Sequence, residues 1–414
     1  MYPIRWKKSC SSIRCVPNPL EEILFFNPLC SQSVGNSQLH ATAYPPSPAT
    51  VTVTRPGEAG NASAEWEAFV QRSDVSCGFW CDPRVATRTV GTGELLLATV
   101  HDGNDTRAML PFRLADTPVA LSVGLLRLGA VRTRMAKLLD GAFAASAGYA
   151  RDRLLAAAVS QLRAEKTCDL VMADNWPLPG NSRLPPGTVP RHRQTTYLID
   201  MPDDFEAYLG RLSSNTRQTL RRKTRRLGRE AGCAIRARCY RDPDEMPELH
   251  EQLRHVWQRS WHGRLNRQPP PAPEFLRDMA AHGWVRSYIL FAGERPIAAV
   301  QGYQYKGTFM DEAPAFDDKW KPHSPGLVLN YLVLQDLFAT DPPETVDFGF
   351  GYNQYKETLG TRPDPRAQPW IPLTPRGRLT LAALRCCDAI FQCGKRTLGR
   401  TGAIRTLKSK KRSS

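Results

Sequence analysis

The stretch SPGLVLNYLVLQDLF, beginning at Ser324, sets a capping residue, a proline and a glycine in succession at the start of a helix. A helix N-terminus leaves backbone N–H groups unpaired, and these can hold an anion. Ser324 suits the N-cap, and Pro325 suits the first helical position, where its missing N–H costs nothing. Gly326 removes a side chain where a ligand would approach, and Leu327 completes the turn. The helix dipole alone contributes about 0.3 to 1 kcal/mol, so tight binding of a diphosphate needs several N–H bonds and nearby cations. Lys319, Lys321 and His323 lie just before the cap. A capped structural helix with no ligand is the competing reading of the tripeptide.

A second device is cationic. Residues Arg211 to Arg229 hold eight Arg or Lys and no Asp or Glu. Leu209, Leu212, Leu220 and Leu227 form one stripe, which leaves Arg217, Arg221, Arg222 and Arg225 outside it. Like charges repel unless an anion offsets them, so a phosphate-bearing partner is expected on Arg217 and Arg221. A solvated face is the alternative. The last twenty residues, from Lys395, carry eight more cations without an acid. Together the two segments account for the whole net charge of +16.

The elements that would position these groups follow from pattern. Residues 1–50, rich in Ser, Pro and Asn without periodicity, read as a disordered arm. GELLLATV, TRAMLPFRL and VALSVGLLRLG are strand-like runs separated by turn chemistry. The helix RDRLLAAAVSQLRAEK and the short strand CDLVMA follow. A Pro-rich connection, WPLPGNSRLPPGTVP, ends this half at about residue 180. The next half, residues 191–365, opens with the strand TTYLID, then one helical region over Phe205 to Ala231 and another from about Met246 to Trp261. VRSYILF, PIAAVQGYQY and TFMDEAPAF are strands, followed by the Ser324 helix and the strand TVDFGF. Both halves therefore run strand, strand, strand, helix, strand, which predicts a duplicated α+β unit. Only the second half carries the Ser-Pro-Gly start and the polar, aromatic segment FGYNQYKETLGT, so a single active site belongs mainly there. Residues 376–414 read as a helix and a basic tail.

At 414 residues, 41% hydrophobic and 23% charged, the chain fits an ordinary globular protein of two or three domains. The eleven cysteines are odd in number and lack C-x-x-C pairs, so no metal site is expected and reduced thiols in a cytoplasm are. No stretch approaches the length needed to span a bilayer. The cationic tail could attract an anionic membrane peripherally.

The hairpin GERPIAAVQGYQYKGTFMDEAPAFDDKW, the helix SPGLVLNYL, VDFGFG and YKETLGT together resemble the GNAT-like acyltransferase domain of the cellulose-biosynthesis-associated and Fem-type peptidyltransferase groups. The close part covers about Thr195 to Arg362, and the first half fits the tandem arrangement of that family. The resemblance implies a tandem GNAT fold, with mixed sheets flanked by helices. It also implies transfer of an acyl group from acyl-CoA, or in the Fem-type branch from an aminoacyl-tRNA, to an amine or hydroxyl. The acceptor implied is an anionic or saccharide envelope or exopolysaccharide precursor. The chain departs from the ordinary GNAT pyrophosphate loop, which has several glycines where this one has only Gly326.

Acyl transfer needs a neutral nucleophile, a proton acceptor, oxyanion stabilisation and a proton for the leaving group. The resemblance of YNQYKETLGT to the Fem-type K-x-x-x-G-T segment places Lys356 near the acyl carbonyl or a phosphate. Tyr352 and Tyr355 are candidates to protonate the departing thiolate, against the alternative that both pack their rings. Asp311 and Glu312 lie on one strand and point to opposite faces, so at most one is the base. An exposed strand carboxylate is the other reading of either. A non-enzymatic nucleic-acid-binding protein gripping phosphates with the basic helix is the rival function.

Overall fold

The computed structural model describes residues 50–400 apart from 57–61, 90–92, 125, 139–141, 179–183 and 266–268, and leaves aside the side chains of 395–400. The expected arm up to residue 49 and the tail beyond residue 400 lie outside the described residues.

The first half contains β1 (Thr50–Thr54), α1 (Ala62–Gln71), β2 (Val75–Cys77), α2 (Pro83–Thr89), β3 (Glu94–Asp102), β4 (Asp105–Val123), β5 (Leu126–Leu138) and β6 (Ala144–Ser146). It closes with α3 (Arg151–Ala164), β7 (Leu170–Ala173) and β8 (Trp176–Pro177). Strands β3, β4 and β5 pair antiparallel in sequence. Helix α3 then crosses over, so that β7 lies parallel to β5. Such a crossover requires an element of a dozen or so residues between parallel neighbours. Leu154, Leu155, Ala158, Val159 and Leu162 make up the buried face of α3, as their spacing predicts.

Two strand expectations shift here. The ADTP segment is not a turn but the middle of β4, and the chain reverses instead at Gly124, whose φ is +61°. Beyond Leu114 only β5 pairs with β4, which is the edge condition under which a strand tolerates Pro118.

The second half contains β9 (Val189–Asp200), α4 (Phe205–Arg211), α5 (Ser214–Ala231), β10 (Ile235–Tyr240), α6 (Met246–Arg259), α7 (Trp261–Arg264) and α8 (Pro273–Ala281). Then come β11 (Ser287–Ala292), β12 (Arg295–Val300), β13 (Gly302–Tyr305), β14 (Thr308–Asp311), β15 (Ala315–Phe316), α9 (Pro325–Ala339) and β16 (Thr345–Asp347). A short helix, α10 (Gln354–Leu359), the strand β17 (Arg362–Pro372) and the long α11 (Pro375–Arg400) complete the chain.

The region expected as one helix over Phe205 to Ala231 is two. Ser213 breaks it by capping α5, its hydroxyl accepting the Thr216 N–H at 3.1 Å. The leucine stripe survives the break, with Leu209, Leu212, Leu220 and Leu227 all buried.

The order of the first half recurs. β11 pairs antiparallel with β12, and the β12–β13 strand pairs with the β14–β15 strand. Helix α9 crosses over, and β16 lies parallel to β14. Two sheets result. One, of 13 strands, has the order β1-β3-β4-β5-β7-β17-β9-β16-β14-β13 along its main path, so it runs through both halves. The other, β10-β11-β12-β15, is antiparallel. β17 joins the halves by pairing with β9 on one side and with β7 and β8 on the other. Helix α9 is buried at Pro325, Val328, Leu329, Asn330, Tyr331, Val333, Leu334 and Leu337, the central position its apolar composition predicts.

Candidate active site

The parallel strands β14 and β16 run in register as far as Met310 and Asp347, then separate. After Asp311 the β14 strand bends through Glu312–Pro314 into β15, which pairs with β12 in the other sheet. After Asp347 the chain turns away at Gly349, with φ +69°. A Cβ at Gly349 would lie 3.1 Å from the Asp311 carbonyl oxygen, so the two strands part with no room for a side chain between them. In an open α/β arrangement, ligands bind where strands diverge at their carboxyl ends. The helix after β15 starts at that same end, and Gly326 lies beside the ring of Phe316.

Asp311 sits at this divergence and is 1% exposed, which overturns the reading of it as an exposed strand carboxylate. Its Oδ2 accepts the Tyr355 hydroxyl at 2.8 Å. Its Oδ1 is buried without a hydrogen-bond partner among the described residues. Burial pushes its pKa up to about 6 against the opposing pull of Lys356 and the Tyr355 hydroxyl. The same burial, and then the Asp311 charge, hold the Tyr355 hydroxyl well above its ordinary value, so it stays protonated.

Lys356 lies one residue on, in the first turns of α10, and is 6% exposed. Asn353 caps this helix, its side chain accepting the Tyr355 N–H. The Lys356 ammonium donates to the carbonyls of Gly349 at 3.1 Å and Phe350 at 3.3 Å. Burial lowers its pKa, while Asp311, Asp347 and Glu312 oppose the shift. Gly349 O also accepts the Thr196 hydroxyl at 2.5 Å. The turn is held from the other side by Asp347, whose Oδ1 accepts Gly349 N–H at 2.8 Å. The Asp347 Oδ2 accepts from the buried Arg366 guanidinium at 2.8 Å. Arg366 in turn donates to Asp364 and to Asn175 of the first half.

Two of the expected residues stand elsewhere. Tyr352 is 60% exposed, and its hydroxyl donates to Glu357 at 2.9 Å, so the structure does not bring it to Asp311. Glu312 lies past the end of β14, in the bend, and accepts the Trp80 indole N–H at 3.1 Å.

At the start of α9, Ser324 occupies the cap position in a left-handed conformation, φ 56°, and its side chain makes no cap bond. This corrects the capping reading. The hydroxyl instead accepts from Lys223 of α5 at 2.9 Å, so the basic helix and the α9 start adjoin. Pro325 is buried, while Gly326 and Leu327 are half-buried. Of the two arginines expected there, Arg217 donates to the carbonyls of Leu209 and Leu212, tying α4 to α5. Arg221 is exposed. Lys223, Asp347, Arg366, Thr196 and Asn175 are the residues that sequence reasoning missed. Only Asp347, two before a glycine at the end of a strand, left a local signal.

Three antiparallel strands, a helix and a parallel strand that splays from its neighbour over a buried Asp, Tyr and Lys define an acyltransferase of the GNAT fold, here in tandem. Comparison agrees: residues 214–357 match the family described as Acetyltransferase (GNAT) domain. Among solved structures, FemX shares the fold with a TM-score of 0.50 at 9% identity, over 75% of this chain and 96% of that one. L-PGS from Bacillus licheniformis superposes with a TM-score of 0.48 at 12% identity, over 78% and 96%. A tandem GNAT protein from the clavulanic acid biosynthesis pathway does so at 0.42 and 12%, over 79% and 99%. No curated protein matches the chain in sequence. The comparisons support an acyltransferase enzyme with a GNAT acetyltransferase domain over residues 214–357.

Proposed function

We propose that the enzyme transfers an acyl group from acyl-CoA to an amine or hydroxyl, with Asp311 as base, Tyr355 as proton donor and Lys356 as oxyanion donor. One observation carries the reading. A carboxyl buried where the strands part keeps one oxygen on a protonated tyrosine and leaves the other without a partner. Buried polar atoms are rarely left so unless a substrate or water completes them. In the proposed step the acceptor heteroatom attacks the thioester carbon while its proton passes to Asp311 Oδ1. The C–S bond then breaks and the thiolate takes the Tyr355 proton. The proton held on Asp311 Oδ1 returns to the Tyr355 oxygen once the carboxyl turns to present it across the 2.8 Å contact that Oδ2 makes. Two of the three Lys356 N–H groups hold the Gly349 and Phe350 carbonyls, and the third serves the oxyanion.

The donor diphosphate is assigned to the first turn of α9, with Lys223 as its cation, and the acceptors to screen first are amino sugars and anionic saccharides. Calorimetry with CoA and thioester turnover with these acceptors test it. CoA should bind and raise the unfolding temperature, because a ligand of the native state stabilises it. Lys223→Met should weaken CoA binding about tenfold, the loss of one charge-assisted contact of about 1.5 kcal/mol.

A second donor is favoured by one observation. Arg221, Arg222, Arg225, Arg226 and Arg229 are exposed along about 12 Å of α5, more than a diphosphate spans. Stabilisation by aminoacyl-tRNA with no response to any CoA thioester would move the donor to that class.

A further inference from the structure

Helix α11 has two apolar faces, and among the described residues only one is covered. Leu381 and Leu384 pack with Val119, Met135, Leu170 and Met172 on the sheet, and Cys387 continues the buried side. Leu379, Ala382, Cys386, Ala389 and Ile390 recur at helical spacing on the exposed side. The tip of the β4–β5 hairpin abuts the far end of this helix, since a Cβ at Gly124 would lie 2.7 Å from the Phe391 ring. That tip exposes Leu126 by 65% and Leu128 by 58%, beside Leu379 at 71% and Ile390 at 57% on the helix. Four of the seven large exposed apolar side chains among the described residues thus belong to one hairpin tip and one helix.

The charge near them is mainly positive, with Asp116 as the exposed acid of the hairpin. Arg378 and Arg385 flank the helical stripe, while the exposed Arg127 and Arg132 of the hairpin alternate with the residues that meet α11 and so lie on the other face of the sheet. The one acid of the helix, Asp388, is paired with Arg191 at 2.9 Å. From Lys395 onward the sequence adds eight cations and no acid. We propose that this face, the α11 stripe with the β4–β5 tip, docks the enzyme on an anionic lipid surface, the leucines and Ile390 entering the headgroup region and Arg378 and Arg385 meeting lipid phosphate. A basic rim about an apolar stripe is the pattern of an interfacial helix. Charge complementarity commits the face to this occupant: a second copy would bring the same cations against one another. No helix among the described residues is long and apolar enough to cross a membrane, so the contact is with the surface.

The test is flotation of the full chain with vesicles of phosphatidylcholine alone and of phosphatidylcholine with phosphatidylglycerol at about two to one. Binding should require the anionic lipid and fall as salt rises. Leu379→Asp with Ile390→Asp should cut the partition coefficient at least tenfold, given what burying such side chains contributes, and leave the unfolding temperature unchanged because both are exposed. Leu126→Asp with Leu128→Asp should do the same and controls for any local effect on α11. Failure to bind anionic vesicles, or equal binding by both double variants and the wild type, overturns the proposal. So does a concentration-dependent dimer, seen by sedimentation, that the variants abolish, since the face would then belong to a second copy.

Discussion

Asp311→Asn separates the catalytic reading of the buried carboxyl from a purely structural one. In the folded chain the Asp311 pKa lies at about 6, against 3.8 for an unhindered aspartate. Between those two values the folded state binds the proton and the unfolded state has released it. Stability of the wild type therefore falls as pH rises through this window, by about 3 kcal/mol in all at 1.36 kcal/mol per pH unit. Asparagine cannot ionise, so the variant lacks this loss. Its carbonyl can still accept the Tyr355 hydroxyl, but its amide N–H groups meet the place where Oδ1 has no partner. That costs about 1 to 3 kcal/mol at every pH. The difference in unfolding free energy, variant minus wild type, should thus begin negative near about pH 4 and rise by about 3 kcal/mol by about pH 7. Urea unfolding at a series of pH values measures it, and comparison within the pair cancels carboxylates such as Asp200 and Glu245, whose pKa values are lowered. Loss of a positioned base should also lower kcat/KM about 100- to 10,000-fold, and the wild-type profile should lose activity on the acid side of about pH 6. A difference that does not change with pH refutes the buried-carboxylate argument. Near-wild-type turnover in the variant removes Asp311 from the chemistry.

On the proposed roles, Lys356→Met should lower kcat about 100- to 1,000-fold, the effect of removing an oxyanion donor, with CoA affinity kept because the proposed diphosphate site is the first turn of α9. Turnover with calorimetry reads both, and a loss of affinity at constant kcat would place Lys356 on a phosphate instead. Arg286 is fully buried and donates to Tyr288, Gln304, Asp336 and the carbonyls of Thr340 and Asp341. Arg286→Met should destabilise the fold by about 1 to 3 kcal/mol by removing the donor to Gln304 and to the Thr340 and Asp341 carbonyls at the end of α9, while Asp336 keeps the Tyr288 hydroxyl. A urea midpoint close to that of the wild type would show the network to be dispensable.

The repeat of strand, strand, strand, helix, strand was legible because each element has a strong period and sits between turn residues. The helices α3 and α9 were legible for opposite reasons, one from its stripe and the other from apolar residues on nearly every side. The strand β17 was not, because TRPDPRAQPWIP carries four prolines and prolines argue against a strand with neighbours on both sides. The pairing explains the exception. The Pro365 carbonyl faces away from β9, accepting the Leu178 N–H at 2.8 Å, so the N–H that proline lacks is not one β9 needs. The site was legible in part. Asp311, Tyr355 and Lys356 lie within segments whose residue types suggested chemistry, yet nothing local distinguishes Tyr355 from Tyr352 three residues away. Tyr352 precedes the Asn353 cap, while Tyr355 lies in the first turn of α10 and reaches Asp311 of β14. Arg366 and Asn175 could not be read at all, because their roles exist only once β17 lies between the halves.

The ends of the parallel strand pairs differ between the two units. In the first half the parallel pair ends with Leu138 beside Ala173, both buried in an apolar core. In the second half the matching end carries Asp311 and Asp347. A buried carboxyl and ammonium need fixed partners, and a single unit offers few at the end of a splayed strand. The first half supplies them. Asn175, just past β7, holds the Arg366 guanidinium that fixes Asp347, and Trp80 holds Glu312 on the far side of the bend. Sheet continuity through β17 sets these groups within hydrogen-bond reach across the halves. The first unit thus supplies, through Asn175 and Trp80, two of the partners that hold the polar turn of the second.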